Sequence, residues 1–266
     1  MTGFEVLKTQ FPAELRAMIG DVAARETTFG FSGVSAFRLD DGRYLKIADQ
    51  PVAGSQRDLQ PEAARLAWLR GRLPVPDLLY FDDQPGRQIM LITEIPGIAS
   101  FDARFEGHEQ AIITVLAEGL RLIHGVDVTA CPFDQRLDVM IPAARRRMSA
   151  GQVDETDFDA VRQRRTAQSL YDELIATRPA ETDLVLVHGD YCMPNILIDP
   201  DTRALTGFID WGSAGVADRY LDLALAARSI TYNWGAAWVA PFFAAYDLPN
   251  VDAGKIAYYQ LLDEFA

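Results

Sequence analysis

The stretch HGDYCMPNILIDPDTRALTGFIDWG, residues 188–212, decides how the rest of the chain is read. It opens on His188-Gly189-Asp190 and reaches Asn195 five residues after that aspartate. It then runs through the apolar strand ILID, turns through DPDTRA, and returns along LTGFID to Asp210, two residues before Gly212. A hairpin between Asn195 and Asp210 is the device that draws residues distant in sequence to one place. The residue types suit phosphoryl transfer. An acceptor hydroxyl has to be held beside a carboxylate, the part open to Asp190. A Mg²⁺ ion bridging nucleotide phosphates takes hard oxygen ligands, the part open to Asn195 and Asp210. A lone Asp-x4-Asn is ordinary turn chemistry. The pairing of that spacing with a second aspartate across a short apolar hairpin is what gives the stretch its weight.

Working outward, the N-terminal part supplies a matching cation. The chain has only three lysines, Lys8, Lys46 and Lys255, against 22 arginines. Lys46 lies inside the apolar strand YLKIA, and the amphipathic helix QPEAARLAWLRGR that follows carries Glu62 near its start. A strand lysine held by a helix glutamate is the kinase arrangement for gripping α- and β-phosphates; a solvated strand residue beside an ordinary glutamate is the plain alternative. The turn GFSGVS, residues 30–35 with their flanks, offers backbone N–H groups to phosphates without being a Walker motif.

The rest of the pattern divides at Pro96-Gly97. Before it, a strand or turn and a helix-like PAELRAMIGDVAAR lead into the hairpin FGFSGVSAFRL/RYLKIA, the helix at 60–72, and the strands LPVPDLLYFDD and QIMLITEI. After it the periodicity is helical at HEQAIITVLAEGLRLIHG, 162–177, 217–233 and 253–265, broken only by the apolar hairpin region around 184–212. The apolar run Trp234–Tyr246 contains Pro241 and reads as a buried helix end or turn. The expected fold class is α+β with two lobes: 1–97, mostly strands, and 98–266, mostly helices.

Composition bounds the function classes. Of the 266 residues, 49% are hydrophobic, enough for a packed core and against wholesale disorder. The net charge of -13 argues against a nucleic-acid surface. It is unevenly spread: residues 1–97 carry a net of -2, and residues 98–266 a net of -11. No basic-then-apolar leader and no membrane-length apolar run are visible, and two distant cysteines, Cys131 and Cys192, suit a reducing cytoplasm. Three scattered histidines make no zinc pattern. His188 reads as an orienting group for the loop that follows it, and His124 as a packed helix-end residue.

HGDYCMPNILID, then FIDWGSAGVADRYLDLALAARSI, and the ending YYQLLDEF, resemble the aminoglycoside 3′-phosphotransferases, kinases with the protein-kinase-like fold. The resemblance runs from about residue 26 to the C-terminus. The His-Gly-Asp…Asn…Asp core is shared with other small-molecule kinases, whereas AGVADRYLDLALA and LLDEF are more specific. It implies a nucleotide-binding N-lobe with an antiparallel sheet and a helix, and a largely helical C-lobe holding the acceptor. It implies transfer of the γ-phosphoryl of ATP, or GTP in its place, to a hydroxyl of a cationic aminoglycoside antibiotic, most simply the 3′-hydroxyl, and hence resistance.

Roles follow at matching positions. Asp190 is implied as the catalytic aspartate, Asn195 and Asp210 as Mg²⁺ ligands, and Lys46, paired with Glu62, as the phosphate cation. Ser32 lies against the phosphates, Tyr44 stacks near adenine, backbone groups of Thr93 and Ile95 read the base edge, and Ile209 packs beneath it. For the acceptor the resemblance implies the acidic segment Asp154, Glu155, Asp157 and Asp159, the last-helix acids Asp263 and Glu264, and the carboxylate of Ala266. A solvated acidic loop is the plain alternative for 154–159. The chain departs from the family at Ser213, where an arginine is common, at Ser229, Tyr232 and Asn233, where acids are usual, and at Ala266, where phenylalanine is usual. The departures bear on which acceptor is taken: a kinase of another small amine or sugar, or a non-catalytic nucleotide-binding protein, are the competing readings.

Overall fold

Strand alternation in RYLKIAD sets the geometry of the first part of the molecule. Leu45 and Ile47 point to one face and are buried, while Lys46 between them points to the other. The structure is a computed structural model that describes residues 3–27, 33–53, 55 and 57–266. The chain falls into two units, Met1–Pro96 with Gly207–Gly212, and Gly97–Thr206 with Ser213–Ala266. The short segment 207–212, which carries Asp210, thus goes with the N-terminal unit.

The first unit begins with two helices, α1 (Gly3–Lys8) and α2 (Ala13–Ile19), and continues with strands β1 (Ala24–Thr27), β2 (Ser35–Leu39) and β3 (Arg43–Asp49). Helix α3 (Gln60–Leu69) and strands β4 (Leu78–Gln84) and β5 (Arg87–Thr93) complete it. The five strands form one antiparallel sheet in the order β1-β2-β3-β5-β4. Its core gathers Phe4, Phe11, Leu15 and Ile19 from the helices with Phe37, Leu39, Leu45, Ile47, Ile89 and Leu91 from the strands. This explains the two departures from expectation. Residues 3–8 are helical, not a strand or turn, because Phe4 is drawn into that core. The helix-like PAELRAMIGDVAAR stops at Gly20, whose φ of 61° ends α2, and its tail becomes β1 in register with β2.

The second unit contains helices α4 (Glu109–His124), α5 (Leu137–Ser149) and α6 (Ala167–Ala176), flanked by the short strand β6 (Ile98–Ala99) before them and β7 (Leu184–Val187) after them. Strands β8 (Ile196–Ile198), β9 (Leu205–Phe208, of which Gly207 and Phe208 go with the first unit) and β10 (Gly215–Asp218) follow, then helices α7 (Tyr220–Trp234), α8 (Val239–Tyr246) and α9 (Ala253–Asp263). β6, β8 and β9 form a three-stranded sheet, and β10 pairs antiparallel with β7. The α4 stripe Ile112, Ile113, Leu116, Leu120 and Ile123 is buried at helical spacing. Expectation and structure differ at two helix starts. α6 begins at Ala167, later than 162, because the Thr166 side chain accepts from Ser169 N and caps it. α7 begins at Tyr220, later than 217, because 215–218 is used as β10. The run 234–246 holds a full helix, α8, with Phe242 wholly buried. Pro142 lies inside α5 and interrupts its helical pattern, so the sequence gives no clear helix signal there. Among the described residues, no helix is long and apolar enough to cross a membrane.

Candidate active site

In the first unit the site is built around Lys46. Its Nζ donates to both carboxylate oxygens of Glu62, at 2.8 and 2.9 Å, and to Asp210 Oδ1 at 2.6 Å. Pro61 occupies the first turn of α3, so Glu62 also sits at the end where the helix dipole favours a negative charge. Burial by itself would push the Lys46 ammonium down, but the Glu62 and Asp210 carboxylates outweigh it and hold the pKa above the usual lysine value. Lys46 is therefore a fixed positive charge at any physiological pH. Asp210 follows β9 with a left-handed φ of 61°, a conformation that aspartate tolerates better than most residues. That turn swings its carboxylate towards Lys46 and leaves it half exposed. Gly207, just before it, has no room for a Cβ, which would lie 2.6 Å from the Pro74 carbonyl oxygen.

The residues expected around a base lie in the same unit. Tyr44 is two residues before Lys46, on the same face of β3, and half-buried. Burial, followed by the charge of Glu94, raises its pKa. Thr93, Ile95 and Ile209 are also half-buried. The Thr93 N–H already donates to the Asp77 carbonyl, so that particular donor is taken. Ser32 lies outside the described residues.

In the second unit the loop 188–195 is held from several sides. Asn195 donates its amide to the Asp190 carbonyl oxygen at 3.0 Å and to Asp190 Oδ2 at 2.8 Å. Asn195 is buried and Asp190 is exposed. The Asp190 N–H donates to His188 Nδ1 at 3.3 Å, so the wholly buried His188 does orient the loop. Gly189 has φ 79°, and a Cβ there would sit 2.2 Å from the Ser213 carbonyl oxygen, so no other residue fits.

Sequence reasoning missed Asp222. It has no solvent exposure, and its carboxylate accepts from His188 N at 2.7 Å and Gly189 N at 2.9 Å. His124 Nε2 lies 3.2 Å from it, and the other ring nitrogen is 2.6 Å from the Tyr246 hydroxyl. The available signal was an aspartate placed inside the apolar helix run YLDLALAA, a position that only a paired carboxylate can occupy.

The acidic residues expected for an acceptor separate into two groups. Asp159, Asp263 and Glu264 come together with two arginines. Arg228 pairs with Asp263 and reaches Asp159 at 3.6 Å, while Arg162 pairs with Asp159 at 3.3 Å and Glu264 at 3.1 Å. Asp157 adds its charge near Arg228. Burial above all, with the negative charges of Asp190, Glu264 and Asp159 adding to it and Arg228 opposing it, pushes the Asp263 carboxyl up to about 6. Asp190 and Asp263 therefore feel each other within one unit. Asp154 and Glu155 are occupied locally: Asp154 Oδ1 accepts from the Thr156 N–H and hydroxyl, and Glu155 Oε1 accepts from Ala167 N at the start of α6. Ala266 is exposed, its N–H donating to the Asp263 carbonyl.

An antiparallel sheet carrying a lysine–glutamate pair, and a helical unit carrying a His-Gly-Asp loop, define a small-molecule kinase of the protein-kinase-like fold. A family model described as "Phosphotransferase enzyme family" matches residues 28–259, and the chain belongs to that family. It is 36% identical over 264 residues to an aminoglycoside 3′-phosphotransferase of Niallia circulans, covering 96% of this chain and 97% of the relative. Among solved structures it resembles an aminoglycoside 3′-phosphotransferase of type VIII, with a TM-score of 0.83 and 32% identity over 99% of this chain and 97% of the other. It also resembles an aminoglycoside phosphotransferase of the 3″-Id type from Streptomyces rimosus, in complex with ADP and streptomycin. There the TM-score is 0.79 and the identity 27%, over 100% and 99% of the two chains.

Proposed function

We propose that this enzyme transfers the γ-phosphoryl group of ATP to the 3′-hydroxyl of an aminoglycoside, in the cytoplasm, and so confers resistance. The observation that carries the reading is the Asp190–Asn195 contact. Asn195 holds one carboxylate oxygen of Asp190, Oδ2, and the other would take the incoming hydroxyl. Asp190 orients that hydroxyl and takes its proton. The hydroxyl oxygen forms the bond to the γ-phosphorus as the bond from that phosphorus to the β-phosphate oxygen breaks, and ADP departs. Lys46, held by Glu62, offsets the phosphate charge; Tyr44, Thr93, Ile95 and Ile209 would receive the base. Asp210 in the first unit and Asn195 in the second each offer a hard oxygen, the kind of donor that Mg²⁺ takes, and the ion when bound would neutralise charge on the phosphates. Relatives named as 3′-phosphotransferases and the ADP complex of a structural neighbour support the choice of reaction and donor.

For the acceptor, Asp263 at the end of α9, Glu264 just after it and the acids of the segment before α6 suit ammonium groups. Ser229, Tyr232 and Asn233 favour a second reading in which a different small amine or amino sugar is taken. An ATP-consumption assay across aminoglycosides with and without a 3′-hydroxyl separates the two. The first reading expects turnover only where that hydroxyl is present, and turnover blind to it would discard 3′ transfer. Asp190→Asn should abolish turnover with every acceptor; a variant that kept full rate would remove Asp190 from the chemistry.

A further inference from the structure

We propose that Ser229 is a positioning residue for phosphoryl transfer, holding the far end of the Asp190 loop as Asp222 holds its near end. The inference rests on the reading of Asp190 as the catalytic group. It starts from the backbone N–H groups of residues 188–195, each of which needs an acceptor where it is buried. His188 and Gly189 donate to the Asp222 carboxylate, Asp190 to His188 Nδ1, Cys192 to the Asp190 carbonyl and Asn195 to the Cys192 carbonyl. Further along the loop the buried Met193 N donates to Ser229 Oγ at 2.9 Å. Met193 is 1% exposed and Ser229 9%, so water has little access to take the serine's place.

The two anchors lie on one helix. Asp222 and Ser229 are seven residues apart on α7, two turns, so they share a face and stand about 10 Å apart along the axis. That face carries the loop between them. Asp222 fixes the backbone entering Asp190, and Ser229 fixes the backbone leaving it two residues before Asn195. The Met193 carbonyl is fixed as well, accepting from the Ser100 hydroxyl at 2.8 Å. Asn233, one turn further along α7, donates to the Ser229 carbonyl at 2.8 Å and approaches its hydroxyl oxygen at 3.5 Å. The Ser229 hydroxyl oxygen thus faces the chain's own catalytic loop.

A misplacement of about 1 Å at a reacting group costs on the order of 100-fold in rate, so losing this anchor should be read in kcat. In Ser229→Ala the Met193 N–H loses its acceptor. We expect kcat for ATP turnover with a saturating aminoglycoside to fall about 10- to 100-fold while the KM for ATP, to which Lys46 and the base-binding residues of the other unit contribute, changes much less. Ser229→Thr keeps the hydroxyl and should restore kcat. Amide exchange of the 188–195 segment should be faster in Ser229→Ala than in wild type. If Ser229→Ala does not fold, Ser229→Cys keeps the volume and leaves only a weak sulfur acceptor, and it should still lower kcat. Wild-type kcat in a folded Ser229→Ala or Ser229→Cys protein overturns the proposal, as does failure of threonine to rescue. Absence of turnover in the wild type would instead overturn the functional reading, and the exchange measurement would still decide whether Ser229 holds the loop.

Discussion

The two units handle charge in opposite ways. In the first, one cation stands between two carboxylates: Lys46 is gripped by Glu62 and Asp210, and its charge is made more permanent by them. In the second, carboxylates stand among arginines: Asp263, Asp159 and Glu264 share Arg228 and Arg162, and Asp263 is pushed into the range where it titrates near neutrality. The difference fits the proposed ligands. Triphosphate is always anionic and can be met by a fixed cation, whereas an amino sugar has to displace or share an internal arginine to reach its acids. The first unit should therefore be insensitive to pH where the second is not.

The largest expected effect comes from breaking the fixed side. Lys46→Met leaves Glu62 and Asp210 facing each other without their common cation, and kcat/KM for ATP should fall by about 10²–10³. Steady-state kinetics with ATP varied checks it. Glu62→Gln, which keeps a hydrogen-bond acceptor for Lys46 and loses the charge, should cost less. Equal losses in the two would mean that the pair works as a unit rather than Glu62 serving Lys46.

Next comes the frame that both readings share. Asp222→Ala leaves the His188 and Gly189 N–H groups buried without acceptors, and should lower stability by about 3 kcal/mol, seen as a lower Tm in thermal unfolding. An unchanged Tm would show that the carboxylate is not needed to hold the loop.

The titrating side gives an effect of middle size. With Asp263 raised to about 6, its carboxyl is neutral below that pH and charged above it. An ammonium group pairs only with the charged form, so acceptor affinity should rise as pH increases through 6, and the KM for the aminoglycoside should climb as pH falls below it. Asp263→Asn should raise that KM about tenfold at pH 7.5 and flatten the low-pH limb. The KM for ATP should show neither change. If the low-pH limb survived in the asparagine variant, another group would own it and the contrast between the units would lose its chemical basis.

How much of this could be read beforehand follows from how local each signal is. Lys46, Glu62, Asp190, Asn195 and Asp210 stand out because chemistry demands those residue types at short, recurrent spacings beside turn and strand patterns. The sheet was legible because YLKIA and QIMLITEI alternate or run apolar over enough residues. Asp222 and Ser229 were not legible as loop anchors, since their partners are backbone N–H groups more than thirty residues away, which leave no mark on side-chain pattern. α1 was hidden for a related reason: a six-residue helix has little periodicity, and Phe4 is helical because of the core it reaches. The acidic residues were legible as charge but not as partners, because an arginine such as Arg228 is 69 positions from Asp159.

That last point yields the smallest expected effect and the sharpest test of the division among the acids. Asp154 and Asp159 are five residues apart in one acidic segment and would be equivalent if charge alone drew the acceptor. Asp154 instead closes a turn onto Thr156, and its carboxyl is held below the usual range by those hydrogen bonds. Glu155 caps the N–H of Ala167. Asp154→Ala should therefore leave acceptor KM within about twofold and Tm nearly unchanged, as for a surface change away from the site. Asp159→Ala, which unpairs Arg162 and Arg228 together, should raise acceptor KM several-fold more. The KM values measured at low salt and again at 0.5 M salt separate contact from field. A general acidic field would make both variants weaken binding alike at low salt and recover alike when screened. Unequal losses that persist in salt mean that the sugar is met by particular paired carboxylates, as Lys46 is met in the other unit.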